Sequence, residues 1–235
     1  MIFEFFIIIF ICTLQSIFGV GVLLFGTPIF LLLDYEFIQI LEILLPISLL
    51  INIFQITGKF EYVDRNLIIR SSLISLPIIF LILYTLVEIE IDVSIIVGFL
   101  LLAVSAKNIS EKIDLLVSKF TELNFLPYIL MGIIHGTSNL GGAILTILAH
   151  SKCVTKNSKR ATIAFLYSLF ALIQICSLYF ALGSFHINIF NLTLGASTYL
   201  IVNKYIFLNI NEKIFNKVFS IFLCTFGLML VLKQW

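Results

Sequence analysis

Two segments of the 235-residue chain place glycine and polar side chains inside otherwise apolar sequence. The first is Gly19-Val-Gly21-Val-Leu-Leu-Phe-Gly26-Thr27-Pro28, the second His135-Gly136-Thr137-Ser138-Asn139-Leu140-Gly141-Gly142. Glycine lets a backbone turn sharply or approach a neighbour closely, and proline is tolerated at the first position of a helix, so Pro28 can open a helix after a turn. Polar groups surrounded by hydrocarbon are costly, face the interior of a helix bundle and mark a pathway. If each segment is a turn between two half-helices, the second half-helix points free N–H groups and the positive end of its dipole at the turn. Two such ends meeting near the membrane middle make an anion site that needs no buried Lys or Arg. Thr27, Thr137, Ser138 and Asn139 add hydrogen bonds, and Gln55, Gln174 and Tyr167, polar positions in neighbouring apolar runs, complete the wall. His135 is the titratable residue of this set and the candidate for coupling a proton. The competing readings are glycine-mediated packing of helices and purely structural hydrogen bonding by Gln55, Gln174, Tyr167 and His135.

Other chemistries find less support. His135 and Ser138 are three residues apart and could act as base and nucleophile, but no acid nearby in sequence orients the histidine. HxxxH, HExxH, paired intramembrane carboxylates and the phosphate-binding GxxxxGK[ST] pattern are absent, so neither an enzyme nor a nucleotide-driven pump is expected. Cys12, Cys153, Cys176 and Cys224 are scattered without metal-like spacing, and no cofactor or metal site is expected.

The elements that position these segments are membrane helices. Hydrophobic residues make up 61% of the chain and charged residues 11%, with a mean hydropathy of +1.17. A soluble domain carries about 25% charged residues to cover its surface, so most of this surface faces hydrocarbon. The net charge of +1 gives no basic excess for nucleic acid. No Lys or Arg precedes Lys59, so the first apolar segment lacks a signal-peptide n-region and is expected to be retained. Apolar stretches cover 5–33, 43–56, 71–87, 93–106, 125–148, 161–182, 190–202 and 214–232, and those at 5–33 and 125–148 are longer and broken in the middle.

Linker charges set the topology. Lys and Arg concentrate in 57–70, 107–124, 149–160 and 203–217, whereas 34–42 and 88–92 are acidic and 183–189 is uncharged. Short loops rich in Lys and Arg are cytoplasmic, so the basic linkers on both sides of 125–148 belong inside. A segment that enters, turns at its glycines and returns reconciles them. The same parity makes 5–33 a re-entrant hairpin from the outside. The expected fold is thus all-α and polytopic, with two inverted repeats, each a re-entrant or broken glycine-rich helix plus three crossing helices. Eight ordinary spans are the alternative. The repeats occupy 1–106 and 125–235, joined by an amphipathic cytoplasmic linker at 107–124. Gly19 to Gly26 parallels Gly136 to Gly142, and Phe54-Gln55-Ile56 parallels Ile173-Gln174-Ile175.

The stretches Gln15-Ser-Ile-Phe-Gly-Val-Gly-Val-Leu-Leu-Phe-Gly-Thr-Pro28 and Met131-Gly-Ile-Ile-His-Gly-Thr-Ser-Asn-Leu-Gly-Gly142 resemble the two glycine-rich signatures of the sulfite exporter TauE/SafE family. Lys159-Arg160-Ala161-Thr162, opening a long apolar span, also fits, and the resemblance covers essentially the whole chain in order. Val22 and Leu23 stand where many members of that family carry further glycines. The resemblance implies a secondary transporter, an exporter of small sulfur-containing anions such as sulfite or organosulfonates, in the cytoplasmic membrane. A channel or transporter for another small organic anion, and a non-transporting membrane scaffold, are the competing classes. The expected partners are the anion and the lipid bilayer, and a homo-oligomer is compatible with the sequence.

Overall fold

Segments this apolar have one local solution, because backbone N–H and C=O groups in hydrocarbon must be paired within the segment. The computed structural model describes residues 2–19, 21–89, 92–109, 119–205 and 212–233, and its regular structure is helical throughout. The helices are α1 (Ile2–Phe18), α2 (Val22–Leu32), α3 (Phe37–Ile56), α4 (Arg65–Ile89) and α5 (Ser94–Ile109). They continue as α6 (Leu126–Ser138), α7 (Gly142–Lys152), α8 (Lys156–Leu182), α9 (Ile189–Tyr205) and α10 (Glu212–Lys233). Three of them, α3, α4 and α8, are each long and apolar enough to cross a membrane. Large apolar side chains on the perimeter, such as Leu73, Leu81, Phe99 and Phe180, remain exposed. A monomeric soluble protein rarely leaves so much apolar surface in water. The architecture is that of an all-α polytopic membrane protein. Half of the amphipathic stretch expected at 107–124, residues 110–118, lies outside the described residues.

The chain reverses at both glycine-rich segments. Gly19 ends α1 in the left-handed region, at φ 81°, and α2 then runs back along α1. A Cβ on Gly21 would lie 3.0 Å from Gln15 N, and one on Gly26 would lie 3.2 Å from Ile11 Cδ1, which is the pairing of antiparallel helices. In the second reversal Asn139 takes the left-handed conformation, at φ 64°, and Gly141 packs against His135 and Met131. The left-handed residues Gly19 and Asn139 therefore correspond, as do Gly21 and Gly141. The expected register, Gly19 with Gly136 and Gly26 with Gly142, is shifted, because Gly26 lies inside α2 and Gly136 inside α6.

Helix contacts repeat when the halves are exchanged. α1 packs on α9 as α6 packs on α4, and α2 packs on α3 as α7 packs on α8. The equivalent helices α3 and α8 meet each other, as do α5 and α10. At the α5–α10 crossing a Cβ on Gly98 would lie 3.1 Å from Gly227 O, and one on Gly227 would lie 2.9 Å from Gly98 O.

Polar contacts join the halves along the bundle and at both of its ends. At one end Asn191 Nδ2 donates to Glu4 Oε1, and the His186 backbone N–H donates to Glu42 Oε1 at 3.2 Å. There too Lys233 pairs with Asp34 and donates to Leu31 O at 3.0 Å and Leu32 O at 3.2 Å. At the opposite end the Asp64 N–H donates to Thr162 Oγ1 at 2.8 Å, and Cys153 Sγ lies 3.8 Å from the same oxygen. The open ends of the α1–α2 hairpin thus sit at the first end, and the end of α7 sits at the second.

Candidate functional site

His135 lies one turn before the end of α6, where the fold buries it completely. Its ring centroid is 4.7 Å from that of Phe170 and 6.2 Å from that of Tyr167, both on α8. Gln174 is one helical turn beyond Phe170 on the same face of α8, is fully buried and faces the imidazole. Among the described residues neither ring nitrogen of His135 and neither amide atom of Gln174 makes a well-formed hydrogen bond, although the amide lies next to the ring. An unpaired buried polar group costs about 1–3 kcal/mol, and buried polar groups in folded proteins are nearly always satisfied by protein, water or ligand. Four such atoms stand in one layer.

The turn adjoining that layer supplies further groups. Asn139 Nδ2 donates to Thr27 Oγ1 of α2 at 3.4 Å, while its Oδ1 is buried without a partner. α7 begins at Gly142 with no side-chain cap. The Tyr167 hydroxyl oxygen stands 1.4 Å from where a Cβ of Gly142 would be, so only glycine fits there. An uncapped helix start carries partial positive charge. Neutral donors around it can hold an anion without a fixed counter-charge.

The first hairpin tip is finished differently. Gln15 Oε1 accepts from the Val22 N–H at 3.1 Å, and its Nε2 donates to Gly19 O at 3.2 Å and Asn52 Oδ1 at 3.3 Å. Gln55 Nε2 donates to Gln15 O at 3.4 Å. Arg160 of α8 reaches across to the tip, where its Nη2 donates to Ser16 O at 3.1 Å.

With both hairpins described, the comparison with known families is decisive. The family model described as sulfite exporter TauE/SafE matches residues 4–230. The chain belongs to the TauE/SafE family. It matches no curated protein and no solved structure. The TauE/SafE match runs through both hairpins and all the helices that surround them. It makes the chain a member of a family of membrane transporters.

The structure divides the residues singled out in this TauE/SafE sequence into three groups. Thr27, His135, Asn139, Gly141, Gly142, Tyr167 and Gln174 come together around the second tip. Gly19, Gly21 and Gln55 belong to the first tip. The rest pack or brace. Gly26 lies against Leu44 and Ile11, and Gly136 against Ile82. Thr137 Oγ1 donates to Ile133 O at 2.9 Å, and Ser138 Oγ donates to Ile134 O at 2.6 Å rather than to His135.

Two expectations change. Pro28 does not open a helix: it is the seventh residue of α2, which starts at Val22 directly after the glycine turn. The tips also do not meet end to end, because Asn139 of the second touches Thr27 inside α2 while the first continues to Arg160. Gln15, Asn52 and Arg160 are residues of the first tip that the sequence reading did not single out as site candidates. Gln15 stands four residues before Gly19 as His135 stands four before Asn139, and that spacing was the available signal.

Proposed function

We propose that this chain is a secondary transporter that exports small sulfur-containing anions, such as sulfite or organosulfonates, across the cytoplasmic membrane. The observation that carries this reading is the layer of unpartnered buried groups on His135 and Gln174 beside the uncapped start of α7. A small oxyanion supplies acceptors for the imidazole N–H, the Gln174 amide and the free peptide N–H groups, and needs no buried cation. Family membership supports sulfur oxyanions as the cargo class.

The basic linkers place the Asp64–Thr162 end in the cytoplasm. The α1–α2 hairpin then enters from outside and the α6–α7 hairpin from inside, which inverts one half relative to the other. Non-helical backbone at membrane depth is tolerated here because helices surround both turns. The anion is held at the second tip while the halves rearrange around it. His135 is the titratable group in contact with that layer and the candidate for coupling proton movement to transport.

Counterflow of labelled sulfite in proteoliposomes tests the reading, with sulfate, a sulfonate and a carboxylate as competitors. Saturable counterflow with preference for sulfite or the sulfonate is expected, and it separates a carrier from a channel. Sulfite and sulfonate should also raise the melting temperature, as ligands that bind only the folded state do. A protein neither stabilised by any of these anions nor able to exchange them is a scaffold. Labelling of single cysteines placed in 107–124 and 149–160 tests the topology, since both must react from the same side.

A further inference from the structure

Arg65, Arg70 and Arg160 are the arginines of this chain, and Arg160 is the one that touches a hairpin tip. Its Nε lies 3.2 Å from where a Gly19 Cβ would sit, while its Nη2 is bonded to Ser16 O. The Tyr199 hydroxyl stands between the guanidinium and the Gln55 amide, in reach of both. Tyr199 and Gln55 are both buried, and Gln55 Oε1 has no hydrogen-bond partner. A guanidinium carries five N–H donors, and no carboxylate among the described residues pairs with this one. A partly buried cation without a counter-ion is costly unless something negative completes it.

The approach to Arg160 carries one sign of charge. Residues 149–160 hold Lys152, Lys156, Lys159 and Arg160 and no acid, and Lys152 and Lys156 are exposed. A run of one sign leading to a partly desolvated cation concentrates small anions at that cation. The planar fork of a guanidinium matches two oxygens of an oxyanion at once, which an ammonium cannot do.

We propose that Arg160, with the Tyr199 hydroxyl, forms a second anion subsite at the tip of the first hairpin, where a small sulfur oxyanion loads from the Lys-rich end on its way to the His135 layer. This rests on the transporter reading above. In this role Arg160 is a binding residue whose bond to Ser16 O also fixes the tip, so stability alone does not report on it.

The test uses the full-length R65K/R70K protein in proteoliposomes, where Arg160 is the remaining arginine. Phenylglyoxal modification of Arg160 is followed by mass spectrometry with and without methanesulfonate, a sulfur oxyanion that, unlike sulfite, does not add to the reagent's aldehyde. Methanesulfonate is expected to slow the modification several-fold, and to do so equally in an added H135Q background. R160K, which keeps a donor for Ser16 O, is expected to raise KM for sulfite presented at the Lys-rich end by about tenfold. KM from the opposite face and kcat should change little. Equal modification rates with and without methanesulfonate, in protein that exchanges methanesulfonate for sulfite, overturn the subsite, as does an R160K protein with unchanged KM from the Lys-rich end. Loss of counterflow in the R65K/R70K parent as well as in the wild type overturns the transporter reading instead.

Discussion

Gln15 and His135 occupy equivalent places, four residues before the left-handed residue that ends the first helix of each hairpin. Gln15 uses both ends of its amide to hold the turn, bonding Val22 N, Gly19 O and Asn52. Among the described residues His135 makes no well-formed hydrogen bond in its layer, and neither does Gln174, which faces it. Beside Gln15 the second span contributes Gln55, already bonded to Gln15 O. The turn of the first tip is therefore closed by the hairpin's own side chains, so that a ligand there must be met by Arg160 from outside the hairpin, while the second tip keeps its own polar atoms open. The same backbone reversal can serve as a brace or as a receptor, and the difference lies in which polar groups the turn itself consumes.

Substitutions should separate the two roles by sign. Gln15→Leu strips partners from Val22 N, Gly19 O and Asn52 Oδ1 inside the bundle, a loss of roughly 3 kcal/mol or more. A denaturant or thermal melt should show it, and a melt like that of the wild type would break the contrast. Gly142→Ala drives a methyl into the Tyr167 hydroxyl and should cost about 2 kcal/mol as overpacking. Tyr167→Ala costs about 3–5 kcal/mol on its own as a cavity, but in its background Gly142→Ala should cost little more, and additive effects in the double variant would mean that the two residues do not meet.

Gln174→Leu should behave in the opposite way to Gln15→Leu. It removes two unpaired buried atoms, so stability should hold or rise by about 1 kcal/mol while sulfite exchange and sulfite-dependent stabilisation fall at least tenfold. Destabilisation together with full exchange would place the receptor elsewhere. His135→Gln keeps a donor and an acceptor but cannot titrate, and it should flatten the pH dependence of exchange. An unchanged pH profile would remove His135 from any proton pathway. The smallest effect is expected of Thr27→Val, which deletes the 3.4 Å bond to Asn139 and should cost less than about 1 kcal/mol.

Part of this arrangement could be read from the residues themselves. The charge of the linkers at 107–124 and 149–160 implied that the chain turns back between them, and Asn139 does reverse it there. His135, Asn139 and Gln174 stood out because polar atoms in long apolar runs are conspicuous. The place of the first turn was less legible. Gly26-Thr27-Pro28 carries a stronger turn signal than Gly19-Val20-Gly21, yet α2 runs straight through it. Proline is admitted to a membrane helix when neighbours satisfy the carbonyl it frees, so its usual value as a stop signal fades. Arg160 was missed for a different reason. It sits near the start of α8, and hydropathy assigns it to the surface, but its side chain is long enough to bring the charge to the Gly19 turn.

The clasp between Lys233 and the end of α2 has a consequence for how the chain is made. The carbonyl of Leu31 receives its partner from a residue 202 positions later. At translation speeds of about 5–20 residues per second, that carbonyl, with Leu32 O and Asp34 beside it, waits on the order of ten to forty seconds for its ligand. Asn191, which meets Glu4, also comes late. The first hairpin is therefore among the earliest parts of the protein to be synthesised and among the last to be locked. A ribosome that stalls within α9 would leave it in the bilayer with its outer seam undone, exposed to whatever quality-control proteases patrol that face.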